Sequence, residues 1–381
     1  FGSDSWENDS WAVNGNTGVW TQISVDEDLG LVYLPVETPS SDFYGGHRPG
    51  NNLFAESLVA VDLNTGQRKW HYQFVHHPIW NFDNCCASLL LDITVNGRAV
   101  KAVAQPSKQG FLYVLDRVTG QPVWPIEERA VPPSDVPGEK ASPTQPFPTR
   151  PPAYARNLPQ VPADLIDFTP ELRTQALVQI TRYKVGGSVF TPPMLGDVNG
   201  ILGAVGSGTA TNWPGSAGDP ETHVVYAQAG NMPSARSIVA PPASFSDIRY
   251  VSGLGGRQFR VVLGPGDCCA ADGDRRSREE APAPAAAPPA GAAAAAGGGG
   301  EGGGLTVQGL PIFKPPYGLL TAISLDRGEL LWQTPHGDTP DNVRNHPLLR
   351  GLNIPKTGQA GTSGVGLMVT KSLVVMGDPQ I

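Results

Sequence analysis

LVAVDLNTGQRKW (58–70) and LYVLDRVTGQPVW (112–124) are the stretches on which the fold turns. Both run apolar strand, Asp, two residues, Thr-Gly, three residues, Trp, with Asp62 to Asp116 and Trp70 to Trp124 each 54 apart. The pattern describes a hairpin in which the alternating apolar residues make one strand, Asp caps the turn, Gly takes a positive φ and the second strand carries the Trp. LTAISLDRGELLW (320–332) is a degraded third copy. A hairpin cannot bury its own face, so a large aromatic at the same place in each repeat is read as docking neighbouring sheets side by side. DEDLGLVY and DPETHVVY add a shorter repeat, Asp26 to Tyr33 and Asp219 to Tyr226, each a turn feeding a strand. The fold predicted is all-β: a β-propeller of four-stranded antiparallel blades with tryptophan docking motifs.

Composition agrees. With 46 Gly and 38 Pro among 381 residues, turns and short strands should outnumber helices, and 40% hydrophobic residues suffice for a core. A net charge of -8 argues against a nucleic-acid partner, which needs clustered Lys and Arg. No run of 18 uncharged apolar residues is present, so no helix is expected to span a membrane. The polar, Trp-containing start at Phe1 and the strand-like TKSLVVMGDPQI at the end both read as cuts inside a domain. Cysteines occur only as the adjacent pairs Cys85-Cys86 and Cys268-Cys269, a spacing that fits neither a zinc site nor a disulfide framework; buried thiols are favoured over a strained vicinal bridge.

The chain divides into blades over 1–231, an irregular, low-complexity insert over 232–304 expected to be disordered, and further blade sequence over 305–381. Within the first part, 131–160 is too Pro-rich for a ladder and is read as a long loop. A short helix is expected near 169–184, with Thr169 as N-cap and Pro170 at its first position. The Ala- and Gly-rich 278–304 reads equally as a loop extension or as a translated intron or shifted frame.

Beyond composition, NTGVW, DFYGGHRPGNNLFAESLVAVD, WHYQFVHHPIW and KAVAQPSKQGFLYVLDRVTGQPVWPIEER within 16–131 resemble the pyrroloquinoline quinone (PQQ) dependent dehydrogenases, in their glucose-dehydrogenase-like branch. SPTQPFPTRPP (142–152), NWPGSAGDPET (212–222) and RNHPLLRGLN (344–353) follow the same branch. The resemblance implies an eight-bladed propeller, incomplete in this chain, with PQQ on its axis, Ca2+ beside it and a periplasmic or periplasm-facing location. It further implies a small alcohol or sugar substrate and a quinone or cytochrome electron acceptor.

Such chemistry needs an aromatic to hold the ring, a cation near the quinone oxygens and a carboxylate base. The resemblance assigns Trp20 to stacking on the cofactor, Lys108 to the quinone oxygens, Thr38 to a cofactor contact, and Asn212 and Trp213 to a pair above the ring. The bland readings are a docking Trp, a surface Lys, and ordinary turns at Thr38 and Asn212. In HHPIWNFD (76–83) relatives carry the Asp base where this chain has Asn81. An amide has no basic lone pair at neutral pH, so Asn81 orients a hydroxyl but does not take its proton. Asp83 keeps the second carboxylate and is the candidate metal ligand. His76 and His77, on opposite faces of an extended segment, are read as structural hydrogen-bonding residues rather than metal ligands. Two functions follow: a quinoprotein oxidising an alcohol or sugar, weakly because of Asn81, and a non-catalytic propeller scaffold.

Overall fold

A computed structural model describes residues 1–253, 303–360 and 364–378. The first blade is the antiparallel sheet β1 (Ser24–Asp26), β2 (Leu31–Pro35), β3 (Ser57–Asp62) and β4 (Arg68–Gln73), in that spatial order. The second is β5 (Leu89–Val95), β6 (Arg98–Pro106) and β7 (Leu112–Asp116), completed where Pro122 bridges Leu115. Next in the chain come the hairpin β8 (Ile126–Ala130) with β9 (Thr144–Pro148), the helix α1 (Pro170–Ile180), and the short strands β10 (Lys184–Val185), β11 (Met194–Leu195) and β12 (Ala204–Gly206). The third blade runs β13 (Ala217–Asp219), β14 (Val224–Gly230), β20 (Gly318–Ser324) and β21 (Glu329–Pro335). Between β14 and β20 lie β15 (Ser234–Val239), β16 (Val251–Ser252), β17 (Gly303–Gly304), β18 (Thr306–Val307) and β19 (Leu310–Pro311), and the chain closes on the hairpin β22 (Leu367–Val369) with β23 (Val374–Met376). The first strands touch in series, β1 against β5, β5 against β13, and β13 against β22, an open arc of blades around one side.

The repeat works as local chemistry dictates. Asp62 Oδ1 accepts from Thr65 N at 2.9 Å and Thr65 Oγ1 at 3.0 Å, and Asp116 Oδ1 does the same for Thr119 at 3.0 and 3.1 Å. Gly66 and Gly120 follow at φ 69° and 74°. In the degraded copy Ser324 stands at the Asp position, and Gly328 N still closes the turn on its carbonyl at 2.9 Å. The terminal tryptophans then pack forward: a Cβ on Gly120 would come within 2.7 Å of the Trp70 indole, and one on Gly328 within 3.0 Å of Trp124. Trp70 Nε1 donates to the Arg117 carbonyl at 3.1 Å, and Tyr33 OH donates to the same oxygen at 3.0 Å. Arg117 ties β1 to β5 by ion pairs to Asp26 and Asp92, both at 2.6 Å. The shorter repeat joins the longer one within a blade, since Tyr33 packs on Trp70 and Tyr226 on Trp332 at ring distances of 5.9 and 6.0 Å.

These glycines give a paired prediction. Gly66→Ala meets open space and carries only left-handed strain, about 1–2 kcal/mol. Gly120→Ala adds a clash with the buried Trp70 and is expected to cost about 1–3 kcal/mol more. Chemical unfolding of the two variants side by side checks the difference; equal losses would contradict forward docking.

Three expectations are corrected. The Pro-rich 131–160 does enter a ladder: Thr144–Pro148 pairs with Ile126–Ala130, with Pro146 opposite Glu128 and Pro148 opposite Ile126. Prolines at every second position of a two-stranded ribbon put their missing N–H groups on one side only. The helix keeps its cap, with Thr169 Oγ1 accepting from Leu172 N at 3.2 Å, but stops at Ile180 because Lys184 and Val185 pair in parallel with Ala204 and Val205. The irregular insert does not begin at 232: β15 is buried and pairs with β11, β12, β16 and β17. Residues 254–302 of that insert, with Cys268-Cys269, lie outside the described residues.

Candidate functional site

Lys108 lies in the tight connection between β6 and β7, where Gly110 N closes a turn on the Ser107 carbonyl at 3.1 Å. The turn sends the lysine stem inward, and the residue is buried. Its Nζ donates to Asn81 Oδ1 at 2.5 Å and to Asp83 Oδ2 at 2.7 Å. Asp83 Oδ1 accepts from Thr38 N at 2.7 Å, and Asn81 Nδ2 donates to Asp42 Oδ2 at 2.9 Å. Asn81 sits at φ 54°, a left-handed conformation that Asn and Asp tolerate better than other side chains.

The remaining expected residues are linked to this centre. Gly18, two residues before Trp20, exchanges hydrogen bonds with Glu37, next to Thr38: Glu37 N donates to Gly18 O at 3.0 Å and Gly18 N to Glu37 Oε1 at 3.2 Å. On the other side Ala210 N donates to the Lys108 carbonyl at 2.8 Å, which brings Asn212 and Trp213 beside the lysine turn. Trp20 and Trp213, 47% and 49% exposed, line one recess of about 280 Å3 with Thr21 and Gln22. Two indoles facing one opening form a surface suited to a flat conjugated ring. Asn212 Oδ1, by contrast, accepts from Trp213 N at 2.9 Å, a contact inside its own turn.

Residues the sequence did not single out complete the centre. Glu56 is fully buried at φ 43°. Its Oε1 accepts from Thr38 Oγ1 at 2.5 Å and from Phe82 N at 2.9 Å. Burial above all, then the nearby Asp83, pushes its carboxyl up to about 8, against the lowering pull of its hydrogen bonds and of Lys108. A charged residue opening an apolar strand, as in FAESLVAVD, was the available signal. Glu37 is raised in the same direction by burial. Arg236 on β15 lays its guanidinium 4.9 Å from the Phe82 ring and donates to the Ser207 carbonyl at 2.7 Å. It was missed because β15 falls in the stretch read as irregular.

His76 and His77 point apart, but not by strand alternation: both lie beyond the end of β4 at Gln73, and His77 is left-handed at φ 46°. His76 Nε2 meets Glu128 at 2.9 Å near the surface, while the buried His77 bonds Glu139 at 2.7 Å and the Gly50 carbonyl at 2.7 Å. Cys85 and Cys86 are free, buried thiols near the carbonyls of Thr211 and Pro106 at 3.5 and 3.6 Å. The hydrogen-bonded neighbour Cys85, and then burial, push the Cys86 thiol upward, which opposes thiolate chemistry.

The donor set suits PQQ. Two exposed indoles and a buried ammonium match a flat, oxygen-rich quinone. Both oxygens of Asp83, in contrast, are engaged by Lys108 and Thr38, and no cluster of three or more His, Cys, Asp or Glu suited to a metal occurs among the described residues.

Raised Glu56 makes stability pH-dependent. The folded chain holds this proton where the unfolded chain, near the ordinary value of 4.5, has lost it. Stability is therefore expected to be highest below that value, to fall as pH rises to about 8, and to level above it. Glu56→Gln should flatten that part of the profile in chemical unfolding at pH 5 through 9, and an unchanged slope would contradict a buried neutral acid.

Repeated Trp-docked blades around an inner arc define a β-propeller. Its residues 2–380 match the sequence profile of the PQQ glucose/ethanol/alcohol dehydrogenase β-propeller domain, and the chain belongs to that family. It is 30% identical to the quinoprotein glucose dehydrogenase of Escherichia coli over 85% of this chain and 37% of that protein. It is 31% identical to a probable quinate dehydrogenase (quinone) of Xanthomonas campestris pv. juglandis over 86% of this chain and 38% of that protein. The glycerol dehydrogenase large subunit of Gluconobacter oxydans is 28% identical, over 86% of this chain and 41% of that subunit. The chain thus spans about two fifths of the length of the curated relatives it matches. No helix among the described residues is long and apolar enough to cross a membrane.

Proposed function

We propose that this chain contributes the cofactor side of a PQQ-dependent dehydrogenase acting on the hydroxyl of an alcohol or sugar, and that its own turnover is weak. The observation behind this reading is the meeting of Lys108, Asn81 and Asp83 at one buried point, with Ala210 of the Trp213 segment bonded to the Lys108 carbonyl and Trp20 and Trp213 lining one recess. PQQ, when bound, supplies a quinone carbonyl that accepts hydride from the substrate carbon. Trp20 and Trp213 hold a flat ring, with Asn212 fixing the turn that presents Trp213. Lys108 directs its ammonium to a quinone oxygen, and Thr38 orients the cofactor side of Asp83 through its amide. Asn81 accepts from Lys108 and orients a hydroxyl but takes no proton. Asp83, the acidic side chain left at the centre, has both oxygens held by donors, so proton removal is slow. A divalent ion such as Ca2+ enters this reading only in competition with Lys108 for Asp83.

A quinone or cytochrome acceptor and a periplasm-facing location accompany this reading through the family alone. The second reading, a propeller that no longer catalyses, is favoured by one observation: the base position is an amide engaged on both sides, by Lys108 and by Asp42. Titrating the chain with PQQ, with and without Ca2+, and then assaying alcohols and aldoses with a dye acceptor separates the two. PQQ uptake with slow turnover is expected; absent PQQ uptake favours the non-catalytic propeller.

A further inference from the structure

We propose that Glu56 is a positioning residue of this site, holding the Thr38 and Phe82 segments together so that Asp83 meets Lys108. One carboxyl oxygen receives both the Thr38 hydroxyl and the Phe82 amide. Thr38 in turn gives its own amide to Asp83, the residue after Phe82, so a single acceptor fixes the donor and the backbone of the acceptor it serves. The scaffold behind Glu56 is tied on both sides: its N–H donates to Glu37 O at 3.2 Å, and its carbonyl accepts from Phe74 N at 2.9 Å.

Two features set this carboxyl apart from an ordinary core acceptor. It is fully buried on a left-handed, non-glycine backbone, a conformation that persists only where surrounding structure imposes it. Its second oxygen, Oε2, has no hydrogen-bond partner among the described residues, a cost that simple satisfaction of two donors would not require. Asp83 and Lys108 face Glu56 from the site, and Arg48 and Tyr113 lie within electrostatic range of it on neighbouring elements. As a neutral acid Glu56 can bracket Asp83 without competing with it for Lys108.

The inference rests on the proposed role of Asp83 and Lys108 toward the cofactor, and its test separates the two. Hydrogen exchange of residues 36–39 and 80–84 is measured in Glu56→Leu and Glu56→Gln, alongside PQQ titration followed by tryptophan fluorescence. Glu56→Leu is expected to speed exchange in those two segments by about tenfold or more relative to strands 57–62 and 68–73, and to weaken PQQ uptake by about tenfold. Glu56→Gln, whose amide oxygen accepts the same two donors, should leave both within about twofold of the parent. Uniform loosening of the strands in Glu56→Leu, no change in the two segments, or a Gln variant as damaged as the Leu variant overturns the positioning role. If the segments respond as expected while the parent takes up no PQQ, the positioning role stands and the proposed function fails.

Discussion

Asn81→Asp is expected to raise PQQ-dependent oxidation of a responsive alcohol or sugar by about two to four orders of magnitude, the usual contribution of a placed general base. The backbone accommodates the change, because both residues tolerate the φ of 54° found at this position. The new carboxylate would keep the Lys108 contact at Oδ1 and lose the amide donor that now serves Asp42. Like charges at Asp42 and position 81 would then raise the pKa of one of the two, so part of the gain is spent on a shared proton. Asp42→Asn in the same chain removes that conflict, and the double variant should exceed the single one. Unchanged turnover in both variants, with PQQ bound, would contradict the assignment of position 81 as the missing base.

Trp70→Ala carries the largest expected cost in stability, about 3–5 kcal/mol, as for other buried large aromatics. The indole fills the space over Gly120, packs tilted against Tyr33 and donates to the Arg117 carbonyl. Its loss therefore loosens the seam between the first and second blades and leaves Arg117, with its ion pairs to Asp26 and Asp92, on a yielding surface. Trp332, already 45% exposed, is the internal control: Trp332→Ala should cost much less. Chemical unfolding of both variants checks the contrast, and equal losses would show that the tryptophans do not dock blades as described.

The hairpins were legible because everything that makes them is local. Asp62, Thr65 and Gly66 close their turn within five residues of chain, Asp116, Thr119 and Gly120 repeat it, and the Trp eight residues after each Asp completes the pattern. The same holds for the Thr169 cap, whose partner is Leu172. What sequence alone missed depends on distant pairing. β15 reads as irregular by composition, yet it is built by partners drawn from 194–206, 251–252 and 303–304. The edge pairing of Thr144–Pro148 was hidden by prolines whose alternation suits it. At the site, Trp20, Thr38, Lys108, Asn212 and Trp213 were singled out through family resemblance, since no spacing relates positions so far apart. Glu56 had only its place before the apolar SLVAVD as a guide, and Arg236 is marked by the burial of its charge alone.

Direct titration with PQQ tests the central claim, that Trp20, Trp213 and Lys108 form the cofactor side of the site. Saturable binding at one site per chain is expected. Trp213→Leu and Trp20→Leu, changes at half-exposed positions that spare the core, should each weaken binding by roughly tenfold, the equivalent of about 1.4 kcal/mol of stacking. Lys108→Met should weaken it at least as much, because a buried donor to the quinone is lost. Binding that is absent in the parent chain, or indifferent to all three substitutions, would contradict the account.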